Sequence, residues 1–242
     1  TTTNSVAVPI YQTTSYQFEN TTHAGNLFAL KELGNIYTRI MNPTNAVLEE
    51  RITALEGGVA SIAVSSGQAA VALSIQNLCT SGDNIVSSPH IYGGTWNLFS
   101  NTLKQFGIEV RYADPENPNS FGELTDNKTR AYFGETLPNP RLKVFPIEEV
   151  SKIGNKFNIP LILDNTASPI TCKPINYGAA IVVHSLTKYI GGHGTSIGGI
   201  IVDSGKFDWV KNANRQPLFN QPDHSYHGAI WGTLVPEALG AP

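Results

Sequence analysis

The stretch His184-Ser185-Leu186-Thr187-Lys188-Tyr189-Ile190-Gly191-Gly192-His193 follows the apolar residues 180–183 and contains a single lysine. A second apolar run, residues 159–163, is followed directly by Asp164. Each run has the length and composition of a buried strand, and each gives way at once to polar side chains. Ligands of parallel sheets bind beyond the carboxyl ends of the strands. These two segments therefore predict a parallel sheet with a binding site at that edge.

Strand-like and helix-like segments alternate on both sides of this region. A helix begins after Asn42-Pro43, an N-cap followed by proline at the first helical position, and ends at Gly57-Gly58. Alternation of this kind requires crossover connections, which predict an α/β fold with a mostly parallel sheet. Further helices are predicted near 71–78 and over 95–106 and 147–157. The predicted strands are 60–64, 84–88, 108–112, 130–134, 161–163 and 180–183.

The two ends of the chain lack this alternation. Residues 1–40 are rich in Thr, Asn and Gln with weak periodicity, which favours an extended arm. Residues 114–122, rich in Pro and Asn, are predicted to form a loop. Beyond residue 204 the pattern becomes irregular and aromatic, and it predicts no second domain.

The composition is that of an ordinary globular protein. Of 242 residues, 40% are hydrophobic and 14% charged, and the formal net charge is −3. No basic stripe is present, so nucleic acid is not expected as a partner. No membrane span or signal peptide is recognisable. Cys79 and Cys172 form no CxxC pair and are expected to be free thiols in a reducing compartment, with the cytoplasm as the default.

Lys188 and Asp164 together match the requirements of pyridoxal phosphate chemistry. A lysine amine condenses with the cofactor aldehyde, and a carboxylate keeps the pyridine nitrogen protonated so that the ring withdraws electrons. Ser185 and Thr187 add hydroxyls that could bind a phosphate. Each residue has a plainer interpretation by itself, since most lysines are solvated and an aspartate after a strand often caps a turn.

A second phosphate contact is predicted at Ser65-Ser66-Gly67-Gln68-Ala69, which connects a strand to a helix. Backbone N–H groups and the helix dipole at such a turn favour an anion. An ordinary strand-to-helix turn would have the same sequence, so this alternative stays open.

Other chemistries are poorly supported. Ser185-Leu186-Thr187-Lys188 fits the S-x-x-K signature of serine acylases, but the chain contains neither SDN nor KTG. The glycines of residues 191–199 do not satisfy G-x-G-x-x-G, and they precede a strand-like run instead of opening a helix. No P-loop occurs. The histidines lack zinc-ligand spacing, so no metal is expected.

The run around Lys188 resembles the lysine motif of the Cys/Met-metabolism family of pyridoxal phosphate enzymes, with Leu186 where the family usually has alanine. Further motifs occur in family order along nearly the whole chain. The resemblance implies an aspartate-aminotransferase-like fold (fold type I), with a large cofactor domain built on a mostly parallel seven-stranded sheet. It implies an N-terminal arm, residues 1–42, and a large domain, residues 43–242. It also implies that the family's small C-terminal domain lies outside this chain.

The resemblance assigns roles to particular residues. Lys188, Asp164 and Tyr92 would be catalytic, with Tyr92, of Tyr92-Gly93-Gly94, stacking on the cofactor ring. Asn139, of the motif Glu135-Thr136-Leu137-Pro138-Asn139-Pro140, would bind the cofactor's phenolic oxygen. The phosphate would be held within one chain by Ser66, Gly67, Gln68, Ser185 and Thr187, and across a subunit interface by Tyr37 and Arg39.

The implied reaction is that of the family's sulfhydrylase group, in which O-acetyl-L-homoserine and sulfide give homocysteine and acetate during methionine biosynthesis. A homodimer or homotetramer is implied, with no membrane partner. Three related activities stay open: cystathionine γ-synthase, O-succinylhomoserine sulfhydrylase and methionine γ-lyase. So does a non-catalytic protein with the same fold, and the sulfur donor is not specified.

Overall fold

The computed structural model describes residues 4–234, which divide between Ile52 and Thr53 into two compact units. Three residues of the predicted arm and the last eight of the predicted large domain lie outside the described part. The boundary between the units falls within the helix Pro43–Glu56. None of the helices in the described residues has the length and apolar character needed to cross a membrane.

The first unit departs from the predicted extended arm. Helix α1, Thr21–Phe28, forms within it, so the prediction for residues 1–40 is wrong there. The side chain of Asn20 caps this helix by accepting the N–H of His23 at 2.9 Å, and Leu27 is buried. Helix α2, Pro43–Glu56, begins as predicted, where the Asn42 side chain accepts the N–H of Thr44 at 2.8 Å.

The second unit is built on one seven-stranded sheet, and this confirms the prediction of a mostly parallel α/β architecture. Its strand order is β1-β7-β6-β5-β4-β2-β3, and β7 is the antiparallel member, between β1 and β6. In chain order the strands are Ala60–Val64, Asn84–Ser87, Glu109–Tyr112, Thr129–Glu135, Leu161–Asp164, Ile181–Ser185 and Gly199–Asp203.

The remaining helices continue the numbering from α3 to α8. They are Gly67–Gln76, Gly93–Asn97, Leu103–Gln105, Asn119–Glu123, Ile147–Phe157 and Pro217–Asn220. A π-helical segment, Leu98–Thr102, joins α4 to α5, and 3₁₀ turns occupy Pro174–Tyr177 and His224–Tyr226.

Side chains alternate between the two faces of β4, as the period of a strand requires. Phe133 lies against Phe99, with ring centroids 5.0 Å apart, whereas the neighbouring Tyr132 contacts Phe121 at 5.4 Å. All seven residues of β4 are buried. Because both faces of the sheet are covered, the sequences of the central strands are continuously apolar and do not alternate between apolar and polar residues.

Two local predictions need correction. The loop predicted over residues 114–122 contains the start of α6, because Phe121 is completely buried and draws this turn into the core. The helix predicted over residues 95–106 starts two residues earlier and is interrupted by the π-helical segment. Strand β7 was recognisable only as a strand-like run after the glycine-rich residues.

Candidate active site

The carboxyl ends of β4, β5 and β6 open into a cavity of about 1070 Å³. It lies entirely within the second unit. Nine of the eleven residues predicted to bind the cofactor line it: Ser66, Gly67, Gln68, Tyr92, Asn139, Asp164, Ser185, Thr187 and Lys188. The topology of the sheet therefore brings together residues from five separate segments of the sequence.

Lys188 stands on a tight turn that follows β6. Its N–H donates to the carbonyl of Ser185 at 3.2 Å, and its own carbonyl accepts the N–H of Gly192 at 2.8 Å. Both bonds use the backbone, and the residue as a whole is exposed at the cavity. The turn thus fixes the position of the lysine while its amine stays accessible.

Asp164 ends β5 and is tied to the end of β6 through Thr166. Its Oδ1 accepts the N–H of Thr166 at 2.9 Å, and the Thr166 hydroxyl accepts the N–H of Ser185 at 2.8 Å. Burial raises the pKa of Asp164, against the bonds from Thr166 and the charge of the nearby His184. Thr166 was not recognised from the sequence, although a hydroxyl two residues after a strand-ending aspartate is a common turn signal.

A buried polar cluster holds the ends of β5 and β6 together. His184 Nε2 lies 2.7 Å from Glu56 Oε1, and Asn165 Nδ2 donates to the same oxygen at 3.0 Å. All three residues are buried. Glu56 was also missed, because a glutamate in the last turn of a helix normally suggests a solvated position.

Glu135 is a further buried carboxylate at this cavity. It ends β4, and its Oε1 accepts the N–H of Tyr92 at 2.6 Å. Burial raises its pKa to about 8, the charge of Asp164 adds to this, and the N–H groups of Tyr92 and Asn139 oppose it. The sequence placed Glu135 at the start of the Asn-Pro motif without giving it a role.

The turn before α3 has the form expected of an anion site. Ser66 caps the helix by accepting the N–H of Ala69 at 3.1 Å. The first N–H groups of a helix have no partner within it and carry the positive end of its dipole. A Cβ on Gly67 would lie 2.6 Å from the Ser185 Cβ, so only glycine lets the turn approach β6 this closely.

Thr187 lines the cavity with its hydroxyl engaged elsewhere. The hydroxyl accepts the N–H of Gly198 at 3.2 Å and donates to the Gly198 carbonyl at 3.3 Å. In this structure Thr187 therefore connects the lysine turn to the segment that leads into β7.

Tyr92 and Asn139 are exposed at the cavity, as groups that contact a ligand must be. Tyr92 lies over Gly94, where a Cβ would come within 2.6 Å of the ring. Asn139 precedes Pro140 across a cis peptide bond.

Tyr37 and Arg39 belong to the first unit. There the Arg39 guanidinium carbon lies 5.8 Å from the centre of the Tyr37 ring, and both residues are exposed.

The residues at the cavity fit pyridoxal phosphate. An accessible lysine, a carboxylate at a strand end and a helix N-terminus without room for a side chain at Gly67 supply partners for its aldehyde, ring nitrogen and phosphate. No group of three or more His, Cys, Asp or Glu side chains among residues 4–234 is arranged to hold a metal ion.

Comparison with known proteins agrees with this arrangement. Residues 1–232 match the family described as Cys/Met metabolism PLP-dependent enzyme. Homocysteine/cysteine synthase of Saccharomyces cerevisiae is 54% identical over 94% of this chain and 52% of its own length. O-acetyl-L-homoserine sulfhydrylase of Leptospira meyeri is 52% identical over 94% of this chain and 51% of its own. The chain thus spans about half the length of the curated relatives it matches.

A solved structure from Campylobacter jejuni shares the fold. It is a candidate O-acetylhomoserine (thiol)-lyase with a pyridoxyl-lysine monophosphate, 44% identical, with a TM-score of 0.94. The match covers 99% of this chain and 60% of the other. The predicted fold type is thereby confirmed.

Proposed function

Because the chain belongs to the Cys/Met metabolism family of pyridoxal phosphate-dependent enzymes, we propose that it forms the cofactor domain of a sulfhydrylase. The reaction is γ-replacement, in which O-acetyl-L-homoserine and sulfide give homocysteine and acetate. The observation that carries the proposal is the convergence of Lys188, Asp164 and the α3 N-terminus on one cavity. The names of the relatives from Saccharomyces and Leptospira support the choice of substrate class.

The cofactor, when bound, supplies an aldehyde for the substrate amine and an electron-withdrawing ring. Lys188 would hold the cofactor through that aldehyde. Its amine, when free, would take protons from the substrate Cα and Cβ, which must lose them before acetate leaves from Cγ. The backbone bonds of its turn keep the amine at the cavity during these transfers.

Asp164 holds the proton of the ring nitrogen. A carboxylate in a partly dry site interacts strongly with a cationic ring, which favours electron withdrawal from the substrate. Thr166 fixes the carboxylate by donating its N–H to Oδ1. Tyr92 contributes an exposed ring beside the cofactor and a hydroxyl that assists proton movement.

The phosphate is held by Ser66, Gly67, Gln68, Ser185 and Thr187. The N–H groups of the first turn of α3 point along the helix axis, and the Ser185 side chain lies directly beside Gly67. Thr187 supports this site through its bonds to Gly198. Asn139 binds the phenolic oxygen of the cofactor.

The assembled enzyme is at least a homodimer. Tyr37 and Arg39 are exposed, and the planar guanidinium of arginine suits bidentate phosphate binding, so they complete the phosphate site of a neighbouring subunit. The arm, residues 1–42, serves this contact, and residues 43–242 form the large domain. Cys79 and Cys172 are free thiols, which supports a reducing compartment such as the cytoplasm.

The test is an absorption spectrum of the purified protein with pyridoxal phosphate, before and after addition of O-acetyl-L-homoserine. We expect a visible band from lysine-bound cofactor that changes on mixing, and homocysteine once sulfide is added. Borohydride reduction followed by peptide mapping should place the pyridoxyl group on Lys188. A label on another lysine would contradict the assignment.

Parallel reactions with O-succinyl-L-homoserine, cysteine and methionine serve as controls for substrate class. Faster turnover of any of these than of the acetyl ester with sulfide would favour a different reaction of the same family.

A further inference from the structure

Two carboxylates stand side by side at the floor of the cavity. Glu135 and Asp164 are partners in the parallel pairing of β4 with β5, and both are the last residues of their strands. Paired residues on adjacent parallel strands point to the same face, and the strands lie about 4.8 Å apart. The two carboxyl groups therefore lie next to each other on the same face of the sheet.

This region is too dry for two negative charges. Glu135 is 6% exposed, and among the described residues no arginine, lysine or histidine forms an ion pair with it or with Asp164; the nearest cationic influence is that of His184 on Asp164. A carboxylate pair in such a setting holds one proton in common, because the second ionisation is opposed by both the neighbouring charge and the loss of water.

Glu135 is the better holder of that proton. Its Oε1 accepts the N–H of Tyr92 at 2.6 Å, a bond that the neutral acid keeps through its carbonyl oxygen. Asp164 accepts the N–H of Thr166, and its role at the ring nitrogen requires a charged carboxylate. The two carboxyl groups thus have different roles: Glu135 holds the proton and Asp164 carries the negative charge.

Glu135 also separates two cavities. A second cavity of about 220 Å³ lies behind it, so a proton on Glu135 can exchange with solvent without passing the cofactor side. The other titratable groups facing these two cavities are Tyr92, Asp164, Lys188 and Tyr189 on one side, and His90, Glu116 and Lys143 on the other.

We propose that Glu135 is a positioning residue that holds the shared proton of the pair, keeps Asp164 charged, and anchors the loop of Tyr92. The part that concerns Asp164 and the cofactor rests on the proposed function. The sharing of the proton does not, because it follows from the strand register, the burial of Glu135 and the partial burial of Asp164.

The first experiment measures unfolding of the cofactor-free chain by denaturant between pH 5 and pH 8.5. A carboxyl whose pKa is raised by folding, here to about 8, binds its proton more tightly in the folded state. Its contribution to stability is complete below the unfolded pKa and is lost as pH rises through the folded value. Wild type should therefore lose stability across this range.

Glu135→Gln keeps an oxygen for the N–H of Tyr92 and cannot titrate. We expect its stability to depend clearly less on pH than that of wild type. Glu116→Gln is the matched control, since it removes a carboxylate that lines the smaller cavity and is largely exposed, and it should keep the wild-type dependence. Equal pH dependence in wild type and Glu135→Gln would overturn the proposal.

The second experiment measures the affinity for pyridoxal phosphate by absorbance titration at pH 7 and pH 9. The protonated fraction of a group with a pKa near 8 falls roughly tenfold over this interval, and the affinity of wild type should fall by up to that factor. Glu135→Gln should lose much less, while Glu135→Ala, which releases Tyr92, should bind weakly at both pH values.

If the affinity of Glu135→Gln for pyridoxal phosphate fell as much between pH 7 and pH 9 as the affinity of wild type, the role assigned to Glu135 would be wrong. A chain that binds no pyridoxal phosphate at any pH would instead refute the proposed function, and the unfolding experiment would still decide whether the proton is shared.

Discussion

At the scale of single residues, the cavity combines an exposed amine with a restrained carboxylate. Within residues 4–234, Lys188 is hydrogen-bonded through its backbone alone, so its side chain can follow a substrate. Asp164 is instead fixed by Thr166 and crowded by Glu135. A proton carrier needs mobility, and a group that stabilises charge needs a fixed position, so the two environments suit the two roles.

The first prediction at this scale concerns Asp164→Ala in the complete enzyme. The variant should fold and bind some cofactor, while kcat falls by at least about a hundredfold, the range typical for removing one group that stabilises developing charge. Stopped-flow absorbance and steady-state turnover would measure this. Near-normal kcat would show that the ring is activated without Asp164.

At the scale of elements, the close approach of α3 to β6 shapes the anion site. Gly67 begins α3 as Ser185 ends β6, and a Cβ there would lie 2.6 Å from the Ser185 Cβ and 2.9 Å from its Cα. The second contact involves backbone, so the strand itself would have to move. The phosphate site therefore depends on the packing of two elements rather than on one motif.

We predict that Gly67→Ala destabilises the chain by about 1–3 kcal/mol, as overpacking usually does. It should also weaken pyridoxal phosphate binding, because the first turn of α3 is displaced from Ser185. Denaturant unfolding and absorbance titration measure the two effects. Gly25→Ala, in α1 with no atom within 4 Å of the added Cβ, is the control and should be neutral or slightly stabilising. Comparable losses in both variants would argue against a specific contact.

At the scale of the whole molecule, long-range contacts attach the irregular C-terminal part to the sheet. Arg130, in β4, forms a buried ion pair with Asp83 at 2.8 Å. It also donates to the carbonyls of Asn214 and Arg215 at 3.1 and 2.9 Å. Gln216 donates back to the Arg130 carbonyl at 2.9 Å. Residues 205–234 thus belong to the same unit as the sheet, although their sequence shows no regular pattern.

The prediction at this scale tests whether neighbouring subunits share a site. Arg39→Ala and Lys188→Ala chains of the complete enzyme should each be nearly inactive. Mixed and reassembled, they should recover partial activity, because one site of the hybrid dimer combines an intact lysine with an intact Arg39 from the other chain. The assay is turnover after hybrid formation has been verified by mass spectrometry. Hybrids without activity would show that each site is built within one chain.

The sequence by itself determined the local elements and the identity of the reactive groups. The helix Ile147–Phe157 has the predicted bounds, because Ile147, Val150 and Ile153 repeat at helical spacing and are buried. Lys188 and Asp164 were recognisable because their residue types, and the apolar strands before them, are short-range features. Nine of the residues to which the family resemblance gave cofactor roles line one cavity, because strand ends meet at one edge of a parallel sheet.

Only the tertiary structure decided which distant groups became neighbours. It placed β7 between β1 and β6, paired Glu135 with Asp164, and brought Glu56 to His184. Periodicity reports which face of an element is buried but not which other element covers it. Strand order and register depend on packing across the whole sheet, and the proton shared by the carboxylates is a consequence of that register.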